Sequence, residues 1–338
     1  MSDTPRVVIA MGDPAGISPE LLAKLLSQKE LLSLAAVTVI GDRRVLALGE
    51  QAAGVSLDIE TVGAVDKAAA QPSRPVFVDL GHLDPATIPM GQATAQGGKF
   101  AMRNFAEALT AAKAHRFDGI MFTPFNKLAL KRAGNPYPDE IRWASDLLGW
   151  NGACSEYNKL DELWNARVTS HEPLRDVADM LTRERIVAAI EATDSTLRRA
   201  GLERPRIAVA GLNPHAGEGG VFGREEIDVI APAVETAASR GFAVEGPFPA
   251  DTIWLRARRG DYDVVLSMYH DQGQIALKLL GFERGVTILG GLPTPIATPA
   301  HGTAYDIQGK GIADPSATIQ AFRTLVMLAT RAASRAVA

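Results

Sequence analysis

The stretch Val264-Val265-Leu266-Ser267-Met268-Tyr269-His270-Asp271-Gln272-Gly273 decides how the chain is read. A short apolar run passes straight into a polar turn holding His, Asp, Gln and Gly. Such a run, bounded by polar residues and Gly, has the length and composition of a buried strand. In an open α/β sheet, ligands bind just past the carboxyl ends of strands, which places His270 and Asp271 at the mouth of a site. A lone histidine there would be better explained as a cap or a local hydrogen bond. Two further units of the same form argue otherwise. Arg206-Ile207-Ala208-Val209-Ala210-Gly211-Leu212-Asn213-Pro214-His215 is again an apolar run ending in a turn, marked by Asn-Pro and followed by Gly217, Gly219, Gly220 and Gly223. Ala166-Arg167-Val168-Thr169-Ser170-His171 is the third, with Pro173 just after. Three strand ends that each carry a histidine suggest one shared metal site, since neutral imidazole is the commonest metal ligand. Asp251, in Pro249-Ala250-Asp251-Thr252, is a candidate fourth member; taken alone it reads as the N-cap of a helix starting at Thr252.

The same unit recurs along the chain. Val7-Val8-Ile9-Ala10 leads into Gly12-Asp13-Pro14-Ala15-Gly16, and Ser18-Pro19-Glu20 opens a helix, with Ser18 as N-cap and Pro19 in the first turn. A Gly turn feeding a helix N-terminus can hold an anion; it is also simply how a βα unit is built. Ile120-Met121-Phe122 runs into Thr123-Pro124-Phe125-Asn126-Lys127, and Thr94–Lys113 has the apolar stripe of a core-facing helix. Thr182 is expected to cap a helix over Arg183–Ala200, Glu225–Arg240 reads as a helix, and Thr318 onward as a closing helix. Strand and helix alternate over most of the chain, which indicates an α/β fold with a largely parallel sheet. No repeat, low-complexity tract or flexible linker marks a domain boundary.

Bulk composition excludes several classes. The 338 residues allow two domains or one large α/β unit, and 46% hydrophobic with 22% charged residues is ordinary for a globular protein. A net charge of −4 argues against nucleic acid as a partner. The single cysteine, Cys154, leaves no disulfide framework and no cysteine metal cluster, in keeping with a reducing cytoplasm. No apolar run approaches membrane-span length, and no signal peptide is apparent at the start.

The usual cofactor and hydrolase motifs are missing. Gly217-Glu218-Gly219-Gly220-Val221-Phe222 has Phe where a dinucleotide fingerprint needs its last Gly, and neither a Walker A loop nor a G-x-S-x-G elbow occurs. His171-Glu172 is followed by Pro173, which does not suit H-E-x-x-H. What remains is a set of histidines and carboxylates that suits zinc, manganese, magnesium or cobalt. A metal on a hydroxyl and a neighbouring carboxylate or carbonyl can assist oxidation and then loss of CO2, acting as a Lewis acid. Lys278 or Lys127 could exchange the proton, although a surface lysine is the plainer reading of each.

The segments GDPAGISPE (12–20), VTSHEPL (168–174), GLNPHAGEGG (211–220), PADT (249–252), YHDQG (269–273) and HGTAYDIQGKGIAD (301–314) together resemble the 4-hydroxythreonine-4-phosphate dehydrogenase (PdxA) family, in family order from the first strand to the closing helix. The last segment also looks like the adenosine-binding loop of isocitrate and isopropylmalate dehydrogenases. The resemblance implies an α/β fold of that type, with two α/β/α domains and a cleft between them: residues 1–125 plus 303–338, and 126–302 with the dimer interface. It implies a cytoplasmic homodimer in pyridoxine biosynthesis, using NAD or NADP and one divalent metal to oxidise a hydroxyl with decarboxylation. Residue by residue, the metal ligands fall on His171, His215 and His270 with Asp251 beside them. The substrate lysine falls on Lys278, so that Lys278 and Asp251 are the candidate catalytic groups. The nucleotide loop covers about Leu292 to Asp314, with Leu292, His301, Gly302, Thr303, Asp306 and Asp314 as its candidate contacts.

Departures from the family pattern fall at the substrate positions. The family's Pro-Gly-His-Thr-Glu is Pro138-Asp139-Glu140-Ile141-Arg142 here, so Glu140 stands for His and Ile141 for Thr. Asn126 replaces another family histidine, Thr287 the substrate asparagine and Ile296 the substrate arginine. Losing that arginine removes a bidentate partner for phosphate or carboxylate, and Glu140 adds a charge that repels an anion. The departures favour a paralogue with the same chemistry on another small hydroxy acid, such as a tetronate 4-phosphate or a terephthalate-type cis-dihydrodiol. A non-catalytic binding protein on the same fold is the reading from another class, opposed by the retained His171, His215, Asp251, His270 and Lys278. A metal hydrolase would leave the 301–311 loop without a use.

Overall fold

Uninterrupted aliphatic runs form the central strands because both of their faces are covered. Val7–Ala10, Ala36–Gly41, Ile207–Ala210 and Val264–Ser267 are buried at every position. The structure, a computed structural model, describes residues 4–336, apart from the side chains of Phe282 and of residues 333–336. The chain divides into two compact units, one built from the chain up to Gly152 and again from Leu292, the other from Ala153–Gly291. Residues 126–152 and 292–302, expected in the second domain, therefore belong to the first unit.

In chain order, the first unit holds β1 (Arg6–Ala10), α1 (Ser18–Leu26), α2 (Lys29–Leu32), β2 (Ala36–Gly41), α3 (Arg43–Ala53), β3 (Glu60–Val62), β4 (Val76–Asp79), α4 (Ala95–Lys113), β5 (Gly119–Phe122), α5 (Lys127–Arg132) and α6 (Glu140–Leu148). The second holds β6 (Ser155–Leu160), β7 (Leu163–Arg167), α7 (Val177–Met180), α8 (Arg183–Arg199), β8 (Ile207–Ala210), α9 (Ala231–Ser239), β9 (Val244–Phe248), α10 (Ile253–Arg258), β10 (Val264–Ser267), α11 (His270–Gly281) and β11 (Val286–Gly290). The chain returns to the first unit with β12 (Ile296–Pro299) and α12 (Ser316–Ala336).

Within the first unit the strand order is β3-β4-β2-β1-β5-β12, every neighbour parallel. Within the second it is β11-β6-β7-β10-β8-β9. There β7, β10, β8 and β9 are parallel, while β6 runs antiparallel to both β7 and β11. An aromatic cluster fixes the far end of β5. Phe105 of α4 lies 5.0 Å from Phe122, 5.4 Å from Phe125 and 4.9 Å from Trp143, ring centre to ring centre. Among the described residues, no helix is long and apolar enough to cross a membrane.

Several local expectations change. Ser18 does not cap α1: Ile17 holds that position, and the Ser18 hydroxyl donates to the Pro124 carbonyl at 2.9 Å. Asp251 does not cap α10 either, since Thr252 is its N-cap residue and no side chain caps it. Thr182 does cap α8, accepting from Arg185 N at 3.2 Å. The helix expected over Glu225–Arg240 opens with a π-helical turn, Glu226–Ile230, and becomes α-helical at Ala231; Pro232, lacking an N–H, suits only a first α turn.

Candidate functional site

The four candidate metal ligands of the second unit follow the ends of four strands. His171 lies beyond β7, His215 beyond β8, Asp251 beyond β9 and His270 at the end of β10. Those strands are mutual neighbours and all parallel, so their carboxyl ends share one edge of the sheet. Cross-links hold the turns together. Thr169 Oγ1 donates to the Met268 carbonyl at 2.8 Å. Gln272 accepts from Met268 N at 2.7 Å and donates to the Gly211 carbonyl at 2.8 Å, tying the β10 turn to the β8 turn. Gly211 N in turn reaches the Phe248 carbonyl of β9 at 2.8 Å.

The structure brings two of these groups face to face: the His171 and His270 rings stand 5.2 Å apart at 37°. His270 Nδ1 pairs with Asp271 Oδ1 at 2.7 Å. A carboxylate only accepts, so Nδ1 carries a proton, and in the neutral ring it is Nε2 that would offer a lone pair to a metal. His215 and Asp251 are exposed and do not close on that pair. Among the described residues, no group of three or more His, Cys, Asp or Glu is drawn together tightly enough to hold an ion. The donor chemistry fits a divalent metal; the full set is not assembled.

The His215 turn is shaped by strain. His215, Ala216, Gly217, Glu218 and Gly219 all have positive φ, and three of the five are not glycine. Each such non-Gly residue costs of order 1–3 kcal/mol and persists only where its surroundings hold it. Glu226, buried at the first position of the π-helical turn, is what holds it. Its Oε1 accepts from Leu212 N and Asn213 N, both at 2.7 Å, and its Oε2 from Asn213 Nδ2 at 2.9 Å. A Cβ on Gly217 would sit 2.7 Å from that same carboxylate, which is why the residue there is glycine.

On α11, His270, Gln274 and Lys278 recur every four residues and share one face of the helix. Lys278 is exposed. Thr287, on β11, accepts from Asn158 Nδ2 at 3.1 Å. Asn158 Oδ1 accepts from Gln274 Nε2 at 2.7 Å and from Arg167 Nη2 at 3.0 Å.

In the first unit, the turns after β1, β5 and β12 meet at one edge, because those strands are parallel neighbours. Gly12 N donates to Thr123 Oγ1 at 2.8 Å and Asp13 N to the Pro124 carbonyl at 2.9 Å. A Cβ on Gly12 would lie 2.2 Å from the Thr123 carbonyl oxygen, so the 12–16 motif needs glycine for close approach as much as for turning. This turn carries the 301–314 loop. Ile17 N donates to the Thr303 carbonyl at 3.0 Å, and Tyr305 OH to Asp13 Oδ2 at 2.8 Å. Lys24 Nζ donates to Glu20 Oε1 and to the carbonyls of Gly311 and Ala313, while Glu20 Oε1 also accepts from Ala313 N. Burial pushes the Asp13 carboxyl up, partly offset by its bond from Tyr305; burial and the nearby Asp13 push the Tyr305 phenol up as well.

Among the candidate nucleotide contacts, burial lowers the His301 pKa, and its Nε2 is a buried atom without a partner. A neutral imidazole nitrogen of that kind fits a nucleotide base. Thr303 and Leu292 are buried, Gly302 and Asp306 exposed. Asp314 accepts from Ser316 N and Oγ, which holds its carboxyl below the usual range.

The candidate substrate positions of this unit lie in and around α5, α6 and β12. Asn126 caps α5, accepting from Ala129 N at 2.9 Å, and its amide reaches Thr303 Oγ1 at 3.4 Å. Ile141 is buried in α6, and Ile296 is wholly buried in β12 opposite Ile120. Glu140 opens α6 and lines a pocket of about 390 Å³ with Lys127, Lys131, Tyr137 and Asp139. Glu226, Glu20, Lys24 and Asp13 are the working residues that the sequence reading missed. Glu20 and Lys24 stand at i, i+4 within and just after a quoted motif, and that spacing was the available signal.

Residues 33–325 match the family model described as "Pyridoxal phosphate biosynthetic protein PdxA". The chain belongs to the PdxA family. A Rhizobium meliloti relative named "Putative 4-hydroxythreonine-4-phosphate dehydrogenase 2" is 55% identical over 98% of this chain and 94% of its own length. A D-threonate 4-phosphate dehydrogenase from Cupriavidus necator is 40% identical, covering 98% of this chain and 100% of its own. The crystal structure of a PdxA relative, 4-hydroxythreonine-4-phosphate dehydrogenase from Klebsiella pneumoniae, superposes with a TM-score of 0.84 at 36% identity, covering 97% of this chain and 99% of that one.

Proposed function

We propose that this PdxA-family protein is an NAD(P)-dependent dehydrogenase that oxidises a hydroxyl of a small phosphorylated hydroxy acid, with decarboxylation. The observation that carries the reading is the placement of His171, His215, Asp251 and His270 at the carboxyl ends of four adjacent parallel strands. His171, His215 and His270 would hold a divalent ion, with Asp251 beside it, and the 301–314 loop would hold the nucleotide through His301 and its neighbours. When bound, the metal supplies Lewis acidity at the substrate oxygens and the nicotinamide supplies the oxidant. The chain's own part is to orient and to move protons: Asp271 sets the His270 tautomer, and Lys278 is the group that exchanges a proton with the substrate. The working unit is a homodimer, as the family resemblance implies.

The relatives' names offer two substrate classes, an amino acid phosphate (4-hydroxythreonine 4-phosphate) and a sugar-acid phosphate (D-threonate 4-phosphate). The departures at Glu140 and Ile296 support a substrate other than the amino acid. Purified protein given Zn, Mn, Mg or Co in turn, with NAD or NADP, is tested on both classes and on an aromatic cis-dihydrodiol carboxylate. Reduction of the nucleotide with the sugar-acid phosphate is the expected result. Reduction with 4-hydroxythreonine 4-phosphate alone would refute the substrate assignment, and metal-loaded protein inert toward every substrate would refute the dehydrogenase reading.

A further inference from the structure

Backbone pairing aligns the turns of His171 and His270, and a side chain aligns the turn of His215 with them. The turns after β7 and β10 extend one another's ladder. Val168 N donates to the Ser267 carbonyl at 2.9 Å and Thr169 N to the Met268 carbonyl at 3.1 Å, and Thr169 Oγ1 reaches that same carbonyl at 2.8 Å. This run leads straight to His171 and His270, whose rings stand 5.2 Å apart. Between β10 and β8 the pairing ends earlier, at Leu266 and Val209. Past that point the Gln272 amide spans from one turn to the other. Met268 N–H can only donate, so the atom that faces it at 2.7 Å is the Gln272 carbonyl oxygen. The Gly211 carbonyl can only accept, so the atom that faces it at 2.8 Å belongs to the Gln272 NH2 group. Both ends of the amide are matched, and a flipped amide would match neither.

What Gln272 grips is a stiff segment. The residues after Gly211, Leu212 and Asn213, give their N–H groups to Glu226 at 2.7 Å, and that carboxylate holds the left-handed turn on which His215 sits. A shift of Gly211 is therefore passed on to His215. We infer that Gln272 is the positioning residue that keeps the His215 turn in register with the His171–His270 pair. The inference rests on the proposed dehydrogenase reading, which takes the three histidines as ligands of one divalent ion. His171 and His270 keep their spacing without Gln272, because backbone bonds set it; His215 does not keep its place relative to them.

The test compares wild type, Gln272→Met, His215→Ala and the double variant as purified full-length proteins. Zn affinity is read by competition with a chromophoric chelator, and ligand number and geometry from the visible spectrum of the Co-loaded protein. Gln272→Met keeps the length and neutrality of the side chain and removes both hydrogen bonds. It is expected to lower Zn affinity by about 10- to 100-fold, the range seen when a group that orients a metal ligand is lost, and to give the Co spectrum of His215→Ala. A variant that is merely less stable keeps the wild-type spectrum once folded. Adding Gln272→Met to His215→Ala is expected to change Zn affinity by less than about twofold, since the ligand that Gln272 positions is already gone; independent roles would multiply the two losses. Gln272→Glu replaces Gln272→Met if the latter does not fold. It keeps the bond from Met268 N and loses the donor to Gly211, and its added charge acts with and without His215, so that it cancels in the comparison. Wild-type affinity and spectrum in the Gln272 variant, or losses that multiply in the double variant, would overturn the inference alone. A wild type that binds neither Zn nor Co, or one whose affinity His215→Ala leaves unchanged, would overturn it together with the metal site of the proposed function.

Discussion

At the scale of the residue, Glu226 is the side chain on which the His215 turn depends. One carboxylate accepts two backbone N–H groups and a side-chain amide, and those bonds offset a run of five left-handed residues. Glu226→Gln is nearly isosteric, but it turns one oxygen into a donor facing the Asn213 amide. The unmatched donors should cost about 1–3 kcal/mol of stability, read as a lower urea midpoint. Metal affinity should fall with it, since His215 is carried by the same turn; unaltered metal affinity would place His215 outside the metal set. Asn126 makes the opposite point. Taken from the sequence as a substrate contact, it caps α5, and Asn126→Ala should cost about 1 kcal/mol through the lost cap. Histidines and carboxylates after apolar runs were legible because their chemistry is distinctive. Ile296 and Ile141 were named only through alignment with family positions, and no spacing rule could show that their side chains would be buried.

Whole elements were legible in proportion to their periodicity. α4, α8 and α12 carry regular apolar stripes and stand close to where the pattern puts them. The hairpin of β6 and β7 was half seen, because its first strand, SEYNKL, holds its polar cluster on a strand and lacks an apolar run. α11 was hidden because its first turn, HDQG, has the composition of a loop. The tie between α1 and the 309–314 loop belongs to this scale too, since one helix holds the loop in place through a buried ion pair. Lys24 Nζ meets Glu20 at 2.7 Å, with 19% and 3% of the two side chains exposed. Lys24→Met removes three donated bonds and strands the Glu20 carboxylate in the interior, which should cost about 3–5 kcal/mol. The double variant Glu20→Gln with Lys24→Met removes the stranded charge and should recover much of that stability. It should not restore the loop, because the carbonyls of Gly311 and Ala313 still lack their donor. The KM for NAD(P) should therefore stay raised, about tenfold for a loop that must be ordered on binding, in a protein whose thermal midpoint is near normal. A KM that returns together with stability would show that the loop is not where the nucleotide binds.

At the scale of the molecule, the division into units could not be read from composition, because nothing in the chain marks Gly152 or Leu292 as a boundary. The discontinuous plan came from the family resemblance. Its edges moved because the α5–α6 segment packs on α4 through Trp143 and Phe105, which ties residues 126–152 to the first unit. That unit also holds two histidines whose burial sets its response to acid. His82, stacked at 4.7 Å on Phe100, and His301 both have pKa values below the ordinary 6.5, and burial is the first cause in each. A base whose folded pKa is depressed binds fewer protons folded than unfolded, so stability is fully present above pH 6.5 and is lost as pH falls toward the folded values. Asp13 has the opposite sign, because its folded pKa is raised above 3.8: it favours the folded state below that value and loses the advantage as pH rises. Its window opens at pH 3.8 and extends upward, whereas that of the histidines opens at 6.5 and extends downward. The thermal midpoint should therefore fall between about pH 7 and about pH 5.5. His82→Phe keeps the ring on Phe100 and removes one titrating group, so it should flatten that fall while leaving the midpoint at about pH 7 equal or higher. A variant as acid-sensitive as wild type would assign the effect to His301 and the carboxylates, and a wild type with no fall at all would show that neither histidine is neutral because it is buried.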